Sequence, residues 1–307
     1  MIRIMSEGGA RAHNTPGRMK MTESAFAWLA RVRVYECDAR GHVNNAVYLH
    51  YLQQATAEAW ACHGASAWQL RSLATEYLAP AYGGDNLEVQ AWSDGVEGAQ
   101  LACGYNITRP ENARPILRAR ATWASSSAEA SVPLLTDWPS GPAELTRVAP
   151  LRLPADRLNA HRYRWAHTVC AYELDGSGCV NPVQLLRWLE EAKLVACAEV
   201  GWPLERMFAA DLMIVQIRHD SEFYAPLRLG ERVEVVSRIC NLRLLKGTWC
   251  HEIYRLCLTP TGEPGDKELV GLDYSAGAFL TCTGRPNPAP QAMLDALLNG
   301  DFDAATV

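Results

Sequence analysis

Asp38 stands three residues ahead of Gly41, and Gly41-His42-Val43-Asn44-Asn45 leads straight into an apolar run that begins at Ala46. A carboxylate at that distance from a buried helix start lies near unpaired backbone N–H groups and the positive end of the helix dipole. Such N–H groups polarise a carbonyl and hold a developing oxyanion, while the carboxylate attacks the carbon or activates a water. His42 adds a group able to orient that water or to protonate a leaving group. The turn returns 137 residues later as Asp175-Gly176-Ser177-Gly178-Cys179-Val180-Asn181, and from Tyr35 to Ala55 nine of 21 positions repeat. Asp175, Gly178 and Asn181 therefore duplicate Asp38, Gly41 and Asn44.

The copies differ where chemistry would be decided. His42 becomes Cys179, Asn45 becomes Pro182, and Gln53-Gln54 becomes Glu190-Glu191. A plainer reading of both Asp residues is that they cap backbone N–H groups of the turn and helix start. Cys179, with no base near it in sequence, reads as a small buried residue.

A second block repeats at an offset of 146: Glu76-Tyr77-Leu78-Ala79-Pro80 with Gly84-Asp85 matches Glu222-Phe223-Tyr224-Ala225-Pro226 with Gly230-Glu231. The second copy thus carries nine extra residues between the blocks. A repeat of this length is a whole domain rather than a solenoid unit, whose period is about 20 to 50 residues. Glu76 and Glu222 could supply a second carboxylate across a pair of domains, although paired structural acids are the simpler reading.

Alternating patterns predict a strand over residues 30–35 and another over 162–169, each stopping at the Asp-containing turn. Asn44 and Asn181 stand at N-cap positions, and Pro182 suits a first helical turn. Helices of about five turns follow, ending at His63-Gly64 and at Val200-Gly201-Trp202-Pro203. Both have few outward polar positions, so each is enclosed by other structure. Four strand-like runs then follow in each copy, near 73–79, 86–92, 100–108 and 116–125, and near 212–224, 232–239, 248–258 and 268–281. A meander of these four against one long helix makes each copy an α+β unit.

Taken together, the strand, the Asp-x-x-Gly-His-Val-Asn-Asn turn, Tyr48-Leu49 in the helix and Glu76-Tyr77 through Pro80 to Gly84-Asp85 resemble the hotdog-fold acyl-CoA thioesterases of the 4-hydroxybenzoyl-CoA thioesterase type. The His-Val-Asn-Asn portion is also similar to the acyl-carrier-protein thioesterases, which contain two hotdog units. The resemblance implies a tandem double hotdog, each unit a long helix wrapped by an antiparallel sheet. It implies hydrolysis of an acyl-CoA or acyl-carrier-protein thioester, with Asp38, and equally Asp175, as nucleophile or general base and His42 as an assisting group. Gly41, Val43, Asn44, Asn45 and Tyr48 would surround the substrate in copy one, and Gly178 and Asn181 in copy two. Arg40 departs from the carrier-protein enzymes, which place Asn there. Arg109, Arg114, Arg118, Arg243 and Lys246 are candidates for CoA phosphates or an acidic carrier.

The boundaries that follow are a disordered leader over 1–24, one unit over 25–125, a linker over 126–161, a second unit over 162–284 and a tail over 285–307 with a short helix. The 307 residues suit two domains, and 49% hydrophobic content suits two ordinary cores. A net charge of -5 gives no electrostatic reason for a nucleic acid or an anionic membrane as partner. The first 24 residues lack the apolar run of a secretory signal, and no stretch reaches the length of a membrane span, so a cytoplasmic protein is expected. Ten scattered cysteines, often at apolar positions such as Cys62, Cys103, Cys197 and Cys257, read as buried thiols. No zinc-type spacing occurs, and neither metal nor cofactor is assigned. The resemblance implies that the fused pair supplies its own intramolecular dimer, with higher homo-oligomers left open. Two other readings compete: a hotdog hydratase or dehydratase, whose Gly-Asp-x-Asn-Pro-x-His run is missing, and a non-catalytic acyl-thioester-binding accessory protein.

Overall fold

Each unit opens with a strand that runs into a tight turn. The computed structural model describes residues 19–21, 25–61, 68–97, 100–125, 141, 148, 160–258 and 264–301. Within these, β1 (Met19–Met21) and β2 (Phe26–Arg31) open the first unit and β7 (Tyr163–Thr168) the second. The first strand therefore ends earlier than the alternation over 30–35 predicts. Val34–Glu36 folds into a 3-10 turn instead, closed by the Glu36 carboxylate on the Arg33 N–H at 2.5 Å, which leaves Val34 84% and Tyr35 85% exposed. Ala171–Glu173 forms the same turn in the second unit. Part of the stretch expected to be disordered is also structured, since Met19–Met21 pairs antiparallel with the outer edge of β2. That edge would otherwise leave a row of N–H and C=O groups unpaired. The remainder of the leader, most of 126–161, Cys62 and the His63-Gly64 helix stop lie outside the described residues.

The turns lead into α1 (Val47–Ala61) and α2 (Pro182–Glu199). Asn181 caps α2 by accepting the Val183 N–H, and Gly201 at φ 77° ends the segment in the left-handed region. On α1, Leu49, Leu52, Ala55 and Ala59 are at most 2% exposed. Burying a leucine-sized side chain contributes roughly 1.5 to 3 kcal/mol, which fixes the helix against the sheet.

Strands β3 (Trp68–Tyr77), β4 (Asn86–Glu97), β5 (Gln100–Arg109) and β6 (Arg114–Ser125) complete the first unit. In the second, α3 (Leu204–Ala209) precedes β8 (Met213–Phe223), β9 (Arg232–Arg243), β10 (Lys246–Leu258) and β11 (Pro264–Leu280), and α4 (Gln291–Asn299) follows. Among the described residues, eleven strands form one sheet in the order β1-β2-β4-β5-β6-β3-β8-β11-β10-β9-β7. The four runs are thus not a simple meander, because β3 and β8 lie beyond β6 and β11. The helix explains this: 15 residues reach about 22 Å, roughly the width of four to five strands, so α1 carries the chain across the sheet to its far side.

The units join edge to edge through β3 and β8. Ala74 pairs with Asp220, its own counterpart at the offset of 146, so the pseudo-two-fold axis passes between them. Arg218 crosses this seam to Glu76 at 2.9 Å and also holds Asp220 at 2.5 Å. One apolar core runs under both units, and a second, built from Cys197, Met207, Leu212, Phe279 and Met293, belongs to the second unit alone. The nine extra residues of that unit supply α3. Among the described residues, no helix is long and apolar enough to cross a membrane.

Candidate active site

The two turns are built alike. Asp38 Oδ1 accepts the Arg40 N–H at 2.8 Å and the His42 N–H at 3.1 Å, while the Gly41 N–H returns to Asp38 O at 3.0 Å. In the second turn Asp175 Oδ1 accepts the Ser177 N–H at 2.8 Å and its hydroxyl at 2.6 Å, and the Gly178 N–H returns to Asp175 O at 3.0 Å. Both aspartates are exposed and have one oxygen turned into their own loop. Gly41 at φ 78° and Gly178 at φ 74° are left-handed, and a Cβ at either would meet nothing within 4 Å. Their backbone angle, rather than the close approach of a substrate, requires glycine.

Most donors of the helix start are already engaged. The Val43 N–H bonds Ala81 O at 2.8 Å, the Asn44 N–H bonds Glu36 O at 3.0 Å, and Asn44 Oδ1 accepts the Ala46 N–H at 3.0 Å. The Asn45 N–H is left without a partner among the described residues, and Asn45 lines a cavity. The second turn repeats these bonds, with Val180 on Leu227 O, Asn181 on Glu173 O and Val183 on Asn181 Oδ1. Its counterpart to Asn45 is Pro182, which has no N–H to offer.

The first turn meets α2 of the other unit. Asn44 Nδ2 donates to Glu190 Oε2 at 3.0 Å across the unit boundary. Arg40, Asn45, Glu190 and Lys193 line the polar part of a cavity of about 110 Å³, and Met207, Leu212, Trp249, Phe279 and Met293 line its apolar part. The Arg40 guanidinium lies over the Phe208 ring of α3, 4.7 Å from its centroid. Lys193 donates to Gln216 Oε1 at 2.7 Å; burial depresses its ammonium, while Glu190 and Asp273 act in the opposite sense.

The second turn meets α1 in the reciprocal way, beside a cavity of about 470 Å³ lined by Asp175, Ser177, Gln53, Trp68, Trp123 and Phe223. Gln53 there holds the place of Glu190, and an amide cannot serve as a base. Cys179, 7% exposed, lies in the wall of this cavity.

Other sequence candidates take structural positions. The Tyr48 hydroxyl accepts the Ala81 N–H at 3.1 Å, and burial pushes its phenol up to about 12. Tyr48 and Val43 belong to the core. The His42 ring packs edge-on against Tyr82 at 5.1 Å. Glu76 is tied to Arg218, Glu222 accepts the Tyr224 hydroxyl at 2.7 Å, and Arg109 holds Asp85 at 2.8 Å. Cys257 is exposed rather than buried, because it lies near the end of β10, beyond the core. His167, Cys170 and Glu173 place ligand atoms within 4.8 Å of one another. The Glu173 carboxylate there already accepts the Cys170 N–H and the Trp188 indole N–H, as Glu36 accepts the Arg33 N–H and the Tyr51 hydroxyl, so its role is structural. Sequence spacing by itself gives Glu190 no role and does not point to Lys193. Their signal is the break in the repeat itself, since Gln53 and Thr56 stand at the matching positions of the first copy.

A long helix wrapped by an antiparallel sheet, present twice and joined edge to edge, defines a tandem double hotdog. The model of the thioesterase superfamily matches residues 40–116. Over 104 residues the chain is 33% identical to the chloroplastic acyl-acyl carrier protein thioesterase ATL3 of Arabidopsis thaliana, covering 30% of this chain and 55% of that one. Over 101 residues it is 31% identical to the acyl-CoA thioester hydrolase YbgC of Escherichia coli O6:H1, covering 30% of this chain and 75% of the relative. The chain thus spans only about half the length of the first of these relatives. The solved acyl-ACP thioesterase of Bacteroides thetaiotaomicron shares the fold over 84% of this chain and 100% of its own, with a TM-score of 0.61 at 14% identity. The chain belongs to the thioesterase superfamily.

Proposed function

We propose that the protein hydrolyses an acyl thioester of coenzyme A or of a carrier protein, at the site formed by the first turn and α2. The observation that carries this reading is the meeting, in the wall of one apolar cavity, of Asn45, whose helix-start N–H has no partner among the described residues, and Glu190. The acyl chain occupies the cavity, and its thioester carbonyl points to the Asn45 N–H. Glu190 takes a proton from water and the resulting hydroxide adds to the carbonyl carbon. The oxyanion rests on the N–H and the helix start. Collapse breaks the carbon–sulfur bond, and the thiolate leaves with the proton that Glu190 carries. Asn44 fixes the carboxylate through its Nδ2 donor. Asp38 is the second candidate for the base, supported by its exposed carboxylate in the same turn.

Thiol release from straight-chain and aromatic acyl-CoA and acyl-carrier-protein substrates tests this. Wild type turns over, Glu190→Gln loses about 10² to 10³ in kcat, the range of comparable active-site deletions, and Asp175→Asn stays near wild type. A loss of that size in folded Asp38→Asn, with Glu190→Gln active, transfers the base to Asp38. No turnover by wild type on either carrier, with saturable acyl-CoA binding, leaves the accessory-protein reading.

A further inference from the structure

The two copies differ most in a layer that neither turn touches. Four sheet neighbours of the first unit, Ala91, Tyr105, Ala119 and Thr75, correspond by strand pairing to Ser237, His251, Asp273 and Ser221. One step along the same face, Ala121 and Leu73 correspond to Ser275 and His219. The second unit has thus exchanged a largely apolar layer for two histidines, an aspartate and three serines, each at most 3% exposed. Burying such groups costs free energy unless every one is bonded. The bonds are present: His251 Nδ1 meets Ser237 Oγ at 2.7 Å and Nε2 meets Ser275 Oγ at 3.1 Å, while Asp273 joins the Ser221 hydroxyl at 2.6 Å and His219 at 3.1 Å.

This layer reaches the acyl cavity at one point. Ser275 lines the wall together with Lys193 and Gln216. Its hydroxyl is held by His251, yet keeps hydrogen-bonding capacity, since a hydroxyl carries one donor and two acceptor sites. Lys193 provides a second donor. Its charge already faces Glu190 and Asp273, so an added carboxylate on the chain would be a buried anion in excess, whereas a neutral hydroxyl adds no charge. Resting on the thioester reading of this site, we propose that Ser275 and Lys193 select acyl chains bearing a hydroxyl group over plain alkyl chains of equal length.

The test compares straight-chain acyl-CoA esters with isomers carrying a hydroxyl at successive carbons, by kcat/KM, and the matching non-hydrolysable thioethers by affinity. Wild type favours at least one hydroxylated isomer on the order of tenfold in both measurements, the value of one hydrogen bond. Ser275→Ala, which installs the residue the first unit already has at this place, brings that ratio to near one. Equal treatment of alkyl and hydroxylated chains by wild type, or a preference that survives Ser275→Ala, overturns the proposal. Absence of turnover with a retained tenfold affinity ratio would refute hydrolysis and keep the selection.

Discussion

Asn45 and Pro182 occupy the same step of the same hydrogen-bonded turn, yet only Asn45 has an N–H, and Asn45 lines the cavity that Glu190 also lines. If that N–H receives the oxyanion, Asn45→Pro removes it within a frame known to accept proline, because the second copy places Pro182 after an Asn181 at φ -64° and ψ 129°. The extended conformation of Asn181 is the one a following proline prefers. The expected outcome is a loss of about 10² to 10³ in kcat with little change in KM, the signature of an interaction made in the transition state. Stopped-flow or steady-state thiol release, with the melting temperature as a control on folding, measures it. A kcat within a fewfold of wild type would place the oxyanion elsewhere. The aspartates stand differently. Each accepts loop N–H groups from its own turn, so Asp38→Asn retains acceptor capacity and is expected to weaken the turn less than Asp38→Ala.

At the level of elements, β3 with β6 and β8 with β11 are the same pair of strands with opposite contents. Trp123 pairs with Leu70 in the first unit, and the same sheet position in the second pairs Gly277 with Gln216. Where the first unit has an indole, Gly277 forms part of the cavity wall in the second unit, together with Met207 of α3 and Met293 of α4. A Cβ on Gly277 would lie 2.9 Å from the Ile214 methyl Cγ2. Gly277→Leu is therefore expected to fill the cavity, cost about 1 to 3 kcal/mol by overpacking, and shift activity toward the shortest acyl-CoA substrates. Undiminished turnover of long chains by a folded variant would put the acyl group elsewhere. The elements themselves were largely legible, since alternation marks the strands and Asn-Pro marks the α2 start. The turn was legible because its Asp, Gly and Asn are dictated by backbone geometry at a constant spacing. The cavity was not legible, because insertions and bulges move the offset from 137 to 146 and then further, so Trp123 meets Gly277 only through strand pairing. The opening strand was misplaced because Val32 and Val34 alternate like a strand while Glu36 folds the chain at that point.

Across the whole molecule, a continuous sheet ties together two units that bury different titratable groups. His251 is buried between two serines, and burial pulls its imidazole down to about 3 from the ordinary 6.5, although Asp273 opposes this. Between those values the unfolded chain takes up a proton that the folded chain refuses. The unfolding free energy therefore falls as pH is lowered through this window and is fully recovered above it. The size is on the order of a few kcal/mol, given about 1.4 kcal/mol for each tenfold difference in proton affinity between the two states. Asp273 adds to the loss at still lower pH. Its burial disfavours the charge, yet His219, His251 and the Ser221 hydroxyl hold its carboxylate below the ordinary range, so protonating it on further acidification also favours unfolding. The first unit has Tyr105 and Ala119 at these places and contributes neither effect. Acid is thus expected to loosen the sheet from the β8–β11 side, and hydrogen exchange at about pH 5 should show protection falling in β9 and β10 before β4 and β5. Denaturant unfolding from about pH 7 to 4 should show a steep decline for wild type and a shallower one for His251→Gln. Parallel declines in the two proteins would mean that another group carries the acid sensitivity, and simultaneous loss of protection in both units would mean that the β3–β8 seam makes them one cooperative body.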